Sequence, residues 1–112
     1  MNPCTVEHAA AEAVSAVAKW FDVGVERIRG RGRTREEAEA RMAARVIVLR
    51  LGFSARLVGR AFGNEHKMAL WSRDRVADLI GADGVFRFRF DRAWSDTCRS
   101  LKFGGGRGNK ES

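Results

Sequence analysis

The sequence predicts a mainly α-helical fold: one small helical domain that contains a helix-turn-helix motif. Three observations lead to this prediction. Apolar residues recur at helical spacing along most of the 112-residue chain, and Thr5, Thr34 and Ser54 precede such stretches in the position of an N-cap. Glycines separate the stretches. The length corresponds to a single domain, which we place at residues 1–101, followed by a disordered tail at residues 102–112.

The first half of the chain predicts three helices. Thr5 begins a helix that continues to about Phe21, and a short helix of one or two turns follows at residues 25–29. Thr34 and Glu37 then have the spacing of a capping box, which begins a longer helix that ends before Gly52. The second half of this helix, RVIVLRL, is rich in β-branched residues, so a strand is the alternative there.

The helix-turn-helix is predicted at about residues 54–80. Ser54 caps a short helix, SARLVGRAF, and Gly63 supplies a tight turn into a longer helix that extends from about Asn64 to Ile80. In such a motif the first turn of the second helix points into the major groove of DNA. An ordinary helical hairpin is the alternative interpretation of the same pattern.

After Gly81 to Gly84, which are expected to end the long helix, the stretch VFRFRF alternates with a period of two. This predicts an extended strip with Phe86, Phe88 and Phe90 on one face, followed by a last helix capped by Asp91. The strip is expected to lie across the helices or to pair with another protein. Trp71, which faces away from the predicted core, is expected to be covered by the C-terminal segment or to contact a partner.

Basic residues indicate a polyanionic partner. The net charge is +7 and the pI is about 10.7. The stretch RIRGRGRTR, residues 27–35, alternates five arginines with no acidic residue. Along an extended loop, such guanidinium groups would follow a phosphate backbone or enter a narrow minor groove; a solvated linker is the alternative.

Three stretches resemble one known family. VAKWFDVGVERI, RGRTREEAEARMAARVIVLRL and GFSARLVGRAFG are similar, in this order, to the C-terminal DNA-binding domain of the bacterial replication initiator DnaA, whose fold resembles Trp repressor. FSARLVGRAFG is the most similar stretch, and the part through FDRAW resembles small stand-alone alphaproteobacterial relatives. The resemblance implies a helix-turn-helix that binds double-stranded DNA, with backbone contacts from Ser54 and the loop arginines.

The family's signature after the turn is Arg-Asp-His (or Arg)-Thr-Thr, whereas this chain has Asn64, Glu65, His66, Lys67 and Met68. Asn64 would pair with adenine, Lys67 with guanine or phosphate, and Glu65 with cytosine or a nearby arginine. His66 is either a phosphate contact or a solvated side chain. We therefore expect DNA binding with a sequence preference different from that of the initiator.

Two sets of candidate site residues follow. The predicted DNA contacts are Arg29, Arg31, Arg33, Ser54, Arg56, Arg60, Asn64, Glu65, His66, Lys67 and Arg75. The candidate protein-interaction residues are Trp71, Phe86 and Phe88.

No cofactor, metal or enzymatic activity is expected. Cys4 and Cys98 have no metal-ligand spacing, and Asn109 stands where a phosphate loop needs glycine, so ATP binding is not expected. The chain shows no membrane-spanning stretch and no signal-peptide pattern, so a cytoplasmic, nucleoid-associated location is expected.

The sequence thus predicts a sequence-specific DNA-binding protein that regulates transcription. Among stand-alone relatives, the resemblance points most specifically to activators of gene transfer agent genes, which work with a sigma-like partner at RNA polymerase. The alternatives are a protein-interaction module derived from a DNA-binding domain, or an accessory binder of replication origins.

Overall fold

The computed structural model describes residues 4–63 and 66–102. Six helices make up most of these residues, which confirms the predicted mainly α-helical fold. Their bounds are α1 Val6–Phe21, α2 Val25–Arg29, α3 Arg35–Arg50, α4 Ala55–Ala61, α5 His66–Ala82 and α6 Gly84–Leu101. Asn64, Glu65 and the predicted tail beyond residue 102 lie outside the described residues. No helix in the described ranges has both the length and the apolar character needed to cross a bilayer.

The N-caps predicted for α1, α3 and α4 are confirmed. The Thr5 hydroxyl accepts a hydrogen bond from the backbone N–H of His8 at 3.0 Å, and the Ser54 hydroxyl accepts one from Leu57. Thr34 and Glu37 form the predicted capping box, in which each side chain accepts a hydrogen bond from the other residue's backbone N–H. Because each cap satisfies an amide that otherwise lacks an acceptor, these helices begin where the capping residues stand.

The stretch RVIVLRL belongs to α3 and is not a strand. Residues 42–48 are all buried, and α3 packs against every other helix of the described chain. A helix that is buried on all sides is apolar all round, so the β-branched residues of this stretch reflect burial and not strand pairing.

Helix α1 packs against both α3 and α6 and completes the centre of the core. Small side chains allow helices to approach closely. Both α1 and α3 have completely buried alanines: Ala9, Ala10, Ala13, Ala40, Ala43 and Ala44. The short helix α4 and the longer α5 pack on this centre and on each other.

The prediction that VFRFRF forms an extended strip is wrong, because these residues form the first turns of α6. Asp83, and not Asp91, caps the helix: its carboxylate accepts hydrogen bonds from the backbone N–H groups of Val85 and Phe86 at 3.0 and 3.1 Å. In the same alternation Phe86 and Phe90 stand four residues apart, a spacing that puts both side chains on one face of a helix. Phe86 and Phe90 accordingly lie in the core, 2% and 0% exposed.

Phe88 does not share the buried face, contrary to prediction. It is 53% exposed, and its ring meets the Trp20 ring edge-on at 6.1 Å between centroids. The expected end of α5 at residues 81–84 is also corrected, since α5 continues through Gly81 to Ala82 and Gly84 already belongs to α6. α5 and α6 are therefore separated by Asp83 alone.

Candidate nucleic-acid interface

Helices α4 and α5 form the two arms of the predicted helix-turn-helix. The N–H of Phe62 donates to the carbonyls of Val58 and Gly59 at the end of α4, and the N–H of Gly63 donates to Arg60 at 3.1 Å. Gly63 has φ of 72°, a left-handed conformation that glycine adopts without the strain other residues incur. The turn therefore begins where the sequence places its glycine.

The predicted DNA contacts within the described residues are all exposed. They are Arg29, Arg31, Arg33, Ser54, Arg56, Arg60, His66, Lys67 and Arg75. Asn64 and Glu65, the two predicted base contacts at the turn, lie outside the described residues.

The exposed surface of α5 changes character along the helix. His66 and Lys67 occupy its first turn and are exposed. Asp74 and Asp78 follow Lys67 at seven and eleven residues, a spacing that places them on the same face. Negative charge there would repel phosphates, so on the face that carries Lys67, contact with DNA is favourable only at the start of α5.

Trp71 lies on this surface and is 51% exposed. The described residues therefore leave about half of it uncovered, and the part of the C-terminal segment beyond residue 102 lies outside the described residues. Phe86 was also predicted as a candidate for partner contact. It is only 2% exposed, so it is unsuitable for that role.

The predicted arginine loop is shorter than expected. Arg27 and Arg29 belong to α2 and Arg35 begins α3, so the linker between these helices contains only Arg31 and Arg33. The other arginines have partners: Nε of Arg27 lies 2.6 Å from the Glu37 carboxylate, and Arg35 pairs with Glu39. The structure shows no ion-pair partner for Arg31 or Arg33 among the residues it describes.

Arg41 holds this linker in shape from α3. Its guanidinium donates to the carbonyl oxygens of Ile28, Arg27 and Gly32 at 2.8, 2.9 and 3.0 Å. Arg41 was not among the predicted site residues, because its contacts with these carbonyls depend on the tertiary packing of α3 against α2 and the linker. Arg41 thereby ties the end of α2 and the linker backbone at Gly32, which lies between Arg31 and Arg33, to α3.

Glu37 fixes the same linker from the other side. The hydrogen bond from Arg27 lowers the pKa of the Glu37 carboxyl; burial opposes this shift, and hydrogen bonds from Thr34 support it. A Cβ atom added to Gly32 would collide with this carboxylate. A side chain at residue 32 would therefore displace the Glu37 carboxylate from its contacts with Arg27 and Thr34.

Arg29 joins the linker to the helix-turn-helix. Its Nη1 donates to the carbonyl of Ala61, the last residue of α4, at 3.2 Å. Its Cζ lies 5.3 Å from the centre of the Phe62 ring. The basic linker and the turn therefore form one continuous surface.

A groove of about 590 Å³ lies between these elements. The linker, α3, the turn and Met68 of α5 line it, and its charged lining residues are Arg29, Arg31, Arg33, Arg41 and Arg45. No acidic residue is among the described lining residues. Arg41 and Arg45 were not predicted as site residues; their spacing of four on one helix, within an otherwise apolar stretch, is the sequence signal that points to them.

Comparison with known proteins relates part of the chain to a replication initiator. Over 72 residues, 63% of this chain, it is 32% identical to the chromosomal replication initiator protein DnaA of Mycobacteroides abscessus. The matched segment covers 15% of that relative, so the similarity concerns a small part of it. No model of a known protein family matches the chain.

Proposed function

We propose that this protein binds double-stranded DNA through its helix-turn-helix and the adjoining arginine groove. The observation that carries the proposal is the groove itself, in which arginines from α2, the linker and α3 converge beside the turn without an acidic residue among the described lining. Such a concentration of uncompensated positive charge next to a helix start suits a phosphate backbone.

The proposed docking follows from the exposed residues. The first turn of α5, with His66 and Lys67, enters the major groove. Arg56 and Arg60 of α4, together with the cap at Ser54, face the backbone on one side of the turn, and Arg31 and Arg33 follow it or enter the minor groove on the other. The base-reading roles of Asn64 and Glu65 rest on the sequence alone, and Arg75 lies far enough along α5 to contact only phosphate.

The finer role that we propose is regulation of transcription, without catalysis and without a nucleotide cofactor. The short segment shared with DnaA supports DNA binding, since the resemblance identified in the sequence lies in the DNA-binding part of that family. Within regulation, an activator of gene transfer agent genes that works with a sigma-like partner is the most specific form of the proposal. An accessory origin binder is a second form, favoured by the name of the relative as a replication initiator.

A protein-interaction module is the competing candidate, and one observation favours it. Trp71 and Phe88 are 51% and 53% exposed, and large apolar side chains at a surface are typical of partner contacts.

Selection from a random library of duplex DNA tests the proposal. The unmodified protein should enrich a defined motif, and Lys67→Ala should broaden it, because a lost base contact removes about 1 to 3 kcal/mol of discrimination. Lys19→Ala is the matched control: Lys19 is exposed on α1 and pairs with Asp96 at 3.7 Å, so its removal should leave the motif unchanged. Selection that enriches no motif, together with loss of protein capture in Trp71→Ala, would favour the interaction module.

A further inference from the structure

Arg45 of α3 is a buried cation without an acidic partner. Only 4% of the residue is exposed, and its Nη1 donates to the Ser72 hydroxyl at 3.0 Å. That hydroxyl is itself buried and donates to the carbonyl of Met68 at 2.7 Å. The guanidinium is thus fixed between α3 and α5 by a neutral group, and no described carboxylate pairs with it.

One edge of this guanidinium lacks an acceptor. Its Nε–H is buried without a hydrogen-bond partner, and no described residue accepts from Nη2. These two groups form the fork with which arginine binds planar or tetrahedral anions in a bidentate manner. A buried charged donor that is left unsatisfied destabilises a fold.

The surroundings of Arg45 disfavour its charge in the free protein. Burial, assisted by repulsion from Arg41, lowers the pKa of Arg45 to about 10. The groove that Arg45 lines contains further arginines and no acidic residue among the described lining. An anion in the groove would lie against Arg45, whose enclosed Nε–H lacks an acceptor, and would compensate the neighbouring charges at once.

We propose that the groove contains a binding site for one phosphate group, with Arg45 as its buried anchor and Arg31 and Arg33 as its exposed partners. Several guanidinium groups approach from different elements, which suits the oxygens of a tetrahedral phosphate better than a single planar carboxylate. The groove volume of about 590 Å³ leaves room for the group and its substituents. This site is distinct from the contacts that the helix-turn-helix pattern predicts, because Arg45 is neither exposed nor on α4 or α5.

The phosphate would come either from the DNA backbone or from a free phosphate compound. The first source rests on the proposed function, in which the groove lies against DNA. The second source does not, and the two are separated below by whether DNA binding depends on Arg45.

Thermal melting with inorganic phosphate tests the site. The melting temperature of the unmodified protein should rise with phosphate concentration, relative to chloride at equal ionic strength, because the ligand binds the folded state. Arg45→Met replaces the charge with an apolar chain that fits irregular space; it should melt higher without phosphate and show no rise with phosphate. Arg73→Met is the control, since Arg73 is exposed on α5 beside Asp74 and loses the same charge outside the groove.

A second measurement does not depend on whether a variant folds. In the unmodified protein, labelled with nitrogen-15 at arginine, the Nε–H resonance of Arg45 should move saturably as inorganic phosphate is added. A resonance that does not move, or an Arg45→Met protein that retains the full phosphate-dependent rise in melting temperature, would overturn the site.

Duplex DNA identifies the source of the phosphate. If a backbone phosphate occupies the site, inorganic phosphate should compete with DNA, and Arg45→Met should reduce the salt dependence of binding by roughly one phosphate contact. If a free phosphate compound occupies it, Arg45→Met should leave DNA binding unchanged while phosphate binding is lost. Phosphate binding in a protein that binds no DNA would refute the proposed function and leave the site intact. DNA binding in a protein that binds no phosphate at Arg45 would refute only the site.

Discussion

Two surfaces of this molecule use arginine in opposite ways. On the face where α1 meets α6, which we call the paired face, Arg99 pairs with Asp96 at 2.9 Å, and the Arg92 guanidinium lies 5.2 Å from the Phe88 ring centre. In the groove beside the turn, Arg31 and Arg33 have no described ion-pair partner, and the lining has no described acid. This difference shows that net charge alone does not locate a binding surface, because arginines of the described chain are paired on one face and lack an ion-pair partner in the groove.

On the paired face, the carboxylate of Asp96 compensates the positive charge of Arg99 and Lys19. The indole N–H of Trp20 donates to Asp96 at 2.7 Å, and this hydrogen bond is the main reason that the pKa of the Asp96 carboxyl is lowered, with Arg99 and Lys19 contributing further. Asp96 thereby joins α6 to α1. We regard this face as structural and the groove as the binding surface.

The largest expected effect is a loss of stability when an aromatic side chain of α6 is removed from the core. Phe90 is 0% exposed in the core, so Phe90→Ala should leave a cavity and reduce the free energy of unfolding by about 3 to 5 kcal/mol. Phe88→Ala removes a ring of the same size that is 53% exposed and should cost far less. Denaturant unfolding of both variants would measure the contrast; equal losses would contradict the helical arrangement of VFRFRF.

A smaller effect is expected at the linker that shapes the groove. In Gly32→Ala the new methyl group would displace the Glu37 carboxylate and weaken the capping box, at a cost of about 0.5 to 2 kcal/mol. Gly81→Ala is the matched control: a Cβ there meets nothing within 4 Å, and alanine should stabilise the last turn of α5 by at most the roughly 0.5 to 1 kcal/mol found in a helix interior. Melting curves should therefore shift in opposite directions, and a Gly32→Ala protein as stable as the unmodified one would show that the carboxylate does not fix the linker.

Helix starts could be predicted from the sequence because capping is local. Thr5, Thr34 and Ser54 each accept from an amide three residues ahead, so their roles are visible in a short stretch of sequence. The order of the helices and the turn at Gly63 followed from apolar spacing, caps and glycines, and the resemblance to one family agreed with both.

The start of α6 could not be predicted in the same way. The alternation of Phe and Arg fits a strand face and also a helix with aromatic residues four apart, and only packing against α1 decides between them. Asp83, which caps the helix, lies within the stretch from Gly81 to Gly84 that was predicted only to end α5.

The groove was predicted only in part. Arg31 and Arg33 were identified from the alternating arginines of the sequence, whereas the pairing of Arg27 with Glu37 and the role of Arg41 depend on contacts between residues nine or more positions apart. Arg45 was missed because an arginine within an apolar helix is expected to extend to solvent, and its burial against Ser72 follows from tertiary packing alone.

The contrast between the paired face and the groove is tested most directly by the salt dependence of binding to duplex DNA. If about four to six phosphates are neutralised, log affinity should fall against log salt with a slope of roughly −4 to −5. Arg31→Ala combined with Arg33→Ala should reduce the magnitude of that slope by roughly 0.9 for each arginine. Arg92→Ala combined with Arg99→Ala removes the same charge from the paired face and should leave the slope unchanged. Equal reductions in the two double variants would contradict the account, because binding would then depend on net charge and not on the groove.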